Sequence, residues 1–154
     1  MTTVPLKELP EFARNVMATL AIDRANTKAV IIALKGELGS GKTTFVQTLA
    51  RNFGITEPIS SPTYVLMKKY KLPEGLNIWG APRRFKTLIH IDAYRLENPK
   101  QFKQLKPEDF LNDPSCLVFI EWPERLAALL PTPDVTLHFS EGTVADSREI
   151  QMQQ

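Results

Sequence analysis

A three-layer α/β fold, with a mixed, mainly parallel central sheet and antiparallel edge strands, is predicted by three features of the 154-residue chain. First, a glycine-rich loop stands between an apolar run and an amphipathic helix, within Val30 to Leu49. Second, two later apolar runs, Leu88–Asp92 and Cys116–Glu121, each end in a carboxylate. Strands buried on both faces of a parallel sheet read as such continuous apolar runs. Third, the last apolar segments alternate around a tight turn, as an antiparallel pair does.

The length suits a single domain, 1–154, with one core. At 43% hydrophobic and 23% charged residues the composition is that of a globular protein. A net charge of +2 is too small to demand a nucleic-acid partner. The single cysteine, Cys116, excludes a disulfide framework and lies in an apolar run, so it reads as a buried structural thiol. No apolar stretch reaches membrane-spanning length, and the N-terminus shows no signal-peptide pattern. A cytoplasmic protein is expected.

In chain order, Met1 to Pro10 reads as an extended lead-in. Leu9, Phe12, Ala13, Val16, Met17 and Leu20 recur at helical spacing, which predicts a helix from Pro10 to Ala21. Proline is tolerated in that first turn. Asp23 to Lys28 is a polar turn. Val30 to Leu34 is a buried strand, and Thr43 to Ala50 is a helix with Phe45, Val46, Leu49 and Ala50 as its apolar stripe. Gly54 closes that helix.

Between strand and helix, Gly36-Glu37-Leu38-Gly39-Ser40-Gly41-Lys42-Thr43 fits G-x-x-x-x-G-K-[ST] without departure. A polyphosphate needs many donors at close range. Glycines let the backbone turn so that successive N–H groups point inward, and the helix start adds unpaired N–H groups and a positive dipole end. Lys42 would reach the β- and γ-phosphate oxygens, and the Thr43 hydroxyl would ligate Mg²⁺. Thr44 follows at the helix start. From residue frequencies, accident produces this match in about one chain in two hundred of this length. The flanking strand and helix make a P-loop NTPase-like fold the reading, with ATP and Mg²⁺ as ligands.

Ser61-Pro62-Thr63 is a rigid corner leading into a strand from Tyr64 to Tyr70. A corner at this place can carry a segment that senses Mg²⁺ and the γ-phosphate, with Thr63 as its sensor; the same residues also make a plain turn. Lys68 to Lys86 reads as a basic hairpin around Trp79, with Arg83 and Arg84. It can meet RNA phosphates and a base, but six basic residues over nineteen positions is a weak signal, and a solvated hairpin is favoured.

Asp92 ends one apolar run, and His90 between Ile89 and Ile91 reads as a half-buried structural histidine. Arg95 is free to pair with a local acid or face a partner. Pro99 to Leu105 and Pro107 to Leu111 are short helices. Glu121 ends the second run, in the form of a Walker B strand. Trp122-Pro123 stops it, and Glu124 to Leu130 is a short helix. Val135 to Phe139 and Arg148 to Met152 form the final pair about Glu141-Gly142. Carboxylates at the ends of parallel strands converge on the ligand crevice. One of Asp92 and Glu121 would hold Mg²⁺ and the other position an attacking water, and the residues alone leave both assignments open.

The P-loop, Ser-Pro-Thr-Tyr (61–64), His-x-Asp-x-Tyr-Arg-Leu (90–96) and Ile-Glu-Trp-Pro (120–123), in this order, resemble the bacterial TsaE family. The resemblance implies an ATPase needed to make threonylcarbamoyladenosine on tRNA. It implies that Lys42 binds phosphate, Thr43 and Glu121 hold Mg²⁺, Asp92 supports hydrolysis, Thr63 belongs to a switch-like segment and Trp122 lies beside the nucleotide. It also implies two partners, TsaB and TsaD, which would make any contact with tRNA indirect. Two departures stand out. Glu11 is the nearest equivalent of a threonine that touches nucleotide in the family, so no adenosine contact is assigned there. The segment between Tyr70 and Leu88 is also longer than usual. A small-molecule P-loop kinase is the competing reading. Kinases of that type carry several lid arginines, for which only Arg83 and Arg84 are available.

Overall fold

The computed structural model describes residues 1–20, 27–74, 76, 85–126 and 128–154. Seven strands form one sheet: β1 (Thr2–Pro5), β2 (Val30–Lys35), β3 (Met67–Lys71), β4 (Thr87–Asp92), β5 (Cys116–Glu121), β6 (Val135–Glu141) and β7 (Ser147–Gln153), in the order β1-β7-β6-β2-β5-β4-β3. The four central strands, β6, β2, β5 and β4, run parallel. Strands β3, β7 and β1 are antiparallel to their neighbours. The described helices are α1 (Leu9–Leu20), α2 (Lys42–Asn52), α3 (Pro99–Gln104) and α4 (Pro107–Leu111). The predicted fold class is thus the observed one.

Side chains of a strand alternate between faces, so each central strand feeds two cores. On one face, Ile32, Leu34, Leu88, Leu117, Phe119 and Leu137 pack against α1 and α2. On the other, Ile31, Ile89, Ile91, Val118 and Ile120 meet Phe102 of α3 and Phe110 of α4. This double coverage explains why β4 and β5 lack a polar stripe. Phe45 of α2 is the pivot of the first core: its ring meets Phe12, Phe119 and Phe139 edge-on, with centroids 6.4, 6.5 and 5.7 Å away. Such T-shaped contacts add to the area buried.

Several boundaries differ from expectation, each for a local reason. The lead-in contains a strand, β1, because β7 offers it an antiparallel edge from Thr2↔Ile150 to Pro5↔Ser147. The strand expected at Tyr64 begins only at Met67. The Pro62 carbonyl accepts from the amides of Val65 and Leu66, which closes a turn, and Leu66 takes a positive φ of 64°. Tyr64 is consequently 84% exposed. The helix expected over 124–130 is one 3₁₀ turn, Pro123–Leu126, followed by amides of Leu129 and Leu130 that return to the Leu126 carbonyl. Helix α2 runs on to Asn52, and Gly54, at φ 79°, closes it by donating to the Arg51 carbonyl. Strands β3 and β4 form the two arms of the basic segment; Trp79, Arg83 and Arg84 lie outside the described residues, as does most of the turn at 23–28. Cys116 is buried, and burial pushes its thiol up to about 11, as a structural cysteine requires. Among the described residues no helix is long and apolar enough to cross a membrane.

Replacing Phe45 by alanine would leave a cavity where α1, α2 and the sheet meet. Urea unfolding of Phe45→Ala should show a loss of about 3–5 kcal/mol; a loss below about 1 kcal/mol would remove Phe45 from the centre of this core.

Candidate functional site: a cleft at the C-terminal ends of three parallel strands

The loop from Gly36 to Gly41 joins the C-terminal end of β2 to α2, and its shape depends on residues without a Cβ. Gly36 sits at φ 139°, and a methyl group there would lie 2.3 Å from the Phe139 carbonyl oxygen of β6 and 2.9 Å from Ser40 Oγ. Gly41, at φ 103°, is the N-cap of α2 and supplies no capping side chain. The first intrahelical bond runs from Phe45 N to Gly41 O at 2.9 Å. Amides of residues 42–44 therefore precede the helical ladder and are open to an anion. The loop tip turns through Ser40 N to Glu37 O at 3.2 Å, which leaves Leu38 exposed at the rim.

Lys42 is 4% exposed, an unusual place for an ammonium. It donates to the carbonyls of Gly36 at 2.7 Å and Glu37 at 2.9 Å, and its Nζ lies 4.4 Å from the centroid of the Trp122 ring. Burial holds its pKa below the ordinary lysine value, against the opposing pull of Glu121, Asp92 and more distant acids. These hydrogen bonds go to neutral carbonyls, so the charge remains available to an incoming anion.

The two acids lie side by side, because β4 and β5 pair in parallel with Asp92 opposite Glu121. Their partners separate them. Glu121 Oε1 accepts from the Thr43 hydroxyl at 2.8 Å and lies 2.8 Å from His90 Nε2. Asp92 Oδ2 accepts from Thr63 Oγ1 at 2.5 Å and Ser61 Oγ at 3.1 Å, and Oδ1 accepts from the Tyr94 amide at 3.0 Å. Glu121 is thus the acid of the P-loop threonine, and Asp92 the acid of the Ser-Pro-Thr corner. That corner is a turn, and it also delivers two hydroxyls to a carboxylate.

Trp122 follows Glu121 in the left-handed region, at φ 58°, which is costly for a bulky residue. Pro123 disfavours the α region for its predecessor, the Trp122 amide donates to Leu34 O at 3.2 Å, and the ring packs on Tyr94 with centroids 5.1 Å apart. The main chain at this bend therefore directs the indole over Lys42.

The cleft so formed is lined by Leu38, Gly39, Gly41, Lys42, Thr43, Thr44, Thr63, Asp92, Glu121 and Trp122, all predicted, together with Ser61 and Tyr94. Of the other predicted residues, Gly36 and Glu37 belong to the loop and their carbonyls accept from Lys42, and Ser40 is buried. Glu11 lines a separate recess between β1 and α1. Three further residues escaped the sequence. Tyr94 stands two residues past a plain strand end, and its ring stacks on the turned Trp122. Arg148 of β7 lies against the loop, with its Nε 3.2 Å from where a Gly41 Cβ would be; no local pattern marks it. His90 is fully buried, not half-buried, because β4 is covered on both faces. Among the described residues Arg95 pairs with no acid and does not line the cleft: its guanidinium covers the Tyr64 ring at 4.6 Å.

The donor set suits a hard cation held mainly by phosphate and water. Magnesium takes few protein oxygens, usually one or two, and Thr43 with Glu121 supplies that number. Among the described residues no group of three or more His, Cys, Asp or Glu offers an all-protein cage.

Fold and cleft together define a P-loop α/β protein, with a glycine loop, a helix N-terminus, a buried lysine and paired strand-end acids facing one space. A family model, threonylcarbamoyl adenosine biosynthesis protein TsaE, matches residues 6–150. The chain belongs to the TsaE family. The tRNA threonylcarbamoyladenosine biosynthesis protein TsaE of Haemophilus influenzae is 33% identical over 126 residues, covering 81% of this chain and 70% of the relative. That of Treponema pallidum is 35% identical over 130 residues, covering 84% and 85%. In structure the chain is similar to YdiB of Bacillus subtilis, with a TM-score of 0.60 at 23% identity over 97% of this chain and 80% of that one. That likeness bears on the fold.

The two loop glycines separate crowding from backbone preference. Gly39, at φ 81°, has nothing within 4 Å of a would-be Cβ, so Gly39→Ala should cost only about 1–2 kcal/mol for the left-handed residue. Gly36→Ala meets the β6 backbone and should cost clearly more in urea unfolding. Equal losses would show that the contact with Phe139 does not shape the loop.

Proposed function

We propose that this chain binds ATP with Mg²⁺ in the cleft and hydrolyses it as the ATPase of tRNA threonylcarbamoyladenosine modification, acting with TsaB and TsaD. The observation that carries the reading is the Thr43–Glu121 hydrogen bond beside the buried Lys42. It joins the P-loop to a strand-end acid with the chemistry that a metal–triphosphate needs. The tRNA pathway comes from the names that the relatives carry; in this reading, contact with tRNA is made through the partners.

The chain's own residues divide the work. Backbone amides from Glu37 to Thr44 would surround the phosphates, and Lys42 would exchange its two carbonyl partners for phosphate oxygens. Thr43 and Glu121 would hold Mg²⁺, which when bound neutralises developing charge on the phosphate oxygens. Trp122 closes the side of the cleft at Lys42 and excludes water from it. Asp92 is the candidate to orient the attacking water. Its Oδ2 is engaged by Thr63 and Ser61, so a water must share or replace those donors. Hydrolysis is thereby tied to the position of the Ser-Pro-Thr corner.

Among the described residues, no arginine lines the cleft. A triphosphate in such a site lacks the cation that stabilises the transition state in fast P-loop enzymes. Turnover by the chain alone should be slow, and stimulated at least roughly tenfold by TsaB–TsaD if they complete the site. The arginines that a small-molecule kinase would need, Arg83 and Arg84, lie outside the described residues. ATP hydrolysis measured with and without the partners tests the reading, and absence of stimulation counts against it.

Two substitutions test the assignments. Lys42→Ala should abolish ATP binding in calorimetry. Glu121→Ala should retain nucleotide binding without metal but lose most Mg²⁺-dependent turnover. Normal hydrolysis by either variant would place the site elsewhere.

A further inference from the structure

We propose that His90 is a positioning residue of this cleft, whose Nε2–H fixes the Glu121 carboxylate against Thr43. The inference rests on the Mg²⁺–ATP reading above and adds a residue to it. His90 is 0% exposed, and its Nε2 lies 2.8 Å from Glu121 Oε1. The same oxygen accepts the Thr43 hydroxyl at 2.8 Å. A carboxylate oxygen only accepts, so Nε2 carries the proton. His90 Nδ1 is buried and has no partner among the described residues. An N–H there would be an orphaned buried donor, which is costly. The tautomer with the proton on Nε2 satisfies that nitrogen and leaves only an acceptor, not a donor, unpartnered at Nδ1.

Strand register makes the contact possible. His90 pairs with Phe119, and Asp92 with Glu121. His90, Asp92, Phe119 and Glu121 therefore share one sheet face, and His90 reaches Glu121 along the diagonal. For packing alone, a hydrocarbon among Leu88, Leu117 and Phe119 would serve better than an imidazole with one orphaned nitrogen. Two donors on Oε1 hold the carboxylate against rotation. The Thr43 hydrogen is committed to Glu121, which turns the lone pairs of Thr43 Oγ1 away from it, where a cation can use them.

The experiment uses Mn²⁺ as the probe, followed by its electron paramagnetic resonance, with an uncleavable ATP analogue and the full chain. His90→Phe should weaken Mn²⁺ binding roughly tenfold or more, while affinity for the analogue without metal changes by less than about twofold. His90→Gln, whose amide nitrogen reaches the place of Nε2, should restore most of the loss, and His90→Asn, whose shorter amide matches the Nδ1 edge, should not. Nitrogen-15 NMR of the wild-type imidazole should show the Nε2-protonated tautomer. Unchanged Mn²⁺ binding in His90→Phe, a His90→Gln as poor as His90→Phe, or a proton on Nδ1 overturns the role of His90 alone. A wild-type chain that takes up no Mn²⁺–nucleotide overturns both readings. The NMR outcome stands even if the variants do not fold.

Discussion

Register at the C-terminal ends of three neighbouring strands governs the cleft. β2 pairs with β5 so that Leu34 faces Glu121, and β5 pairs with β4 so that Glu121 faces Asp92. The glycine loop leaves β2 just past that line, which places Thr43, at the start of α2, within hydrogen-bond reach of a carboxylate on another strand. A slip of one residue in either ladder would turn the acids to the opposite face. There they would meet Ile91, Ile120 and the α3 side of the sheet, where no phosphate loop exists. The apolar runs before each acid hold this register, because both of their faces are committed to a core.

The same arrangement gathers Lys42, His90, Asp92 and Glu121, all at most 4% exposed, around one small volume. Buried ionisable groups cost free energy unless each finds partners. Here the partners are local and few: two loop carbonyls for Lys42, one hydroxyl and one imidazole for Glu121, two hydroxyls and an amide for Asp92. Part of the stabilising electrostatics of Lys42 is left to the ligand, since burial depresses its pKa while no carboxylate bonds it directly. In the proposed function a triphosphate would supply the missing charge, and ligand binding would then add to the stability of the folded chain.

Much of this was legible in the sequence, and the reasons differ by element. The P-loop was legible because its glycines answer to backbone geometry, which a motif records residue by residue. β4 and β5 were legible because full burial erases the polar half of the alternation. The strand expected at Tyr64 failed because a proline carbonyl closes a turn over Val65 and Leu66, a hydrogen bond that hydrophobic patterning does not register. The helix after Pro123 failed because one 3₁₀ turn and a run to Pro131 use similar residues. His90 was misread since an isolated polar residue between isoleucines suggests a solvent-facing side, and only the layer of α2 removes that side. Tyr94 reaches the cleft beside a turned tryptophan, and Arg148 reaches the glycine loop from a terminal strand, relations that no local window contains.

Two hydrogen-bond networks now stand on adjacent strands: Thr43, Glu121 and His90 on one side, Ser61, Thr63 and Asp92 on the other. They share no side chain, yet β4 carries a member of each, His90 and Asp92, separated by Ile91. Ile91 is fully buried, and the Asp92 amide donates to the Leu66 carbonyl at the foot of the Ser-Pro-Thr turn. A rigid interior strand transmits position but little displacement. The parts of the cleft outside the ladder are the corner at 61–66, with Tyr64 and Val65 exposed, and the bend at Trp122. Both carry residues held at positive φ, Leu66 and Trp122, where release toward ordinary backbone geometry is downhill. In this division the strands fix the separation of the acids, and the corner supplies the two hydroxyls that Asp92 meets.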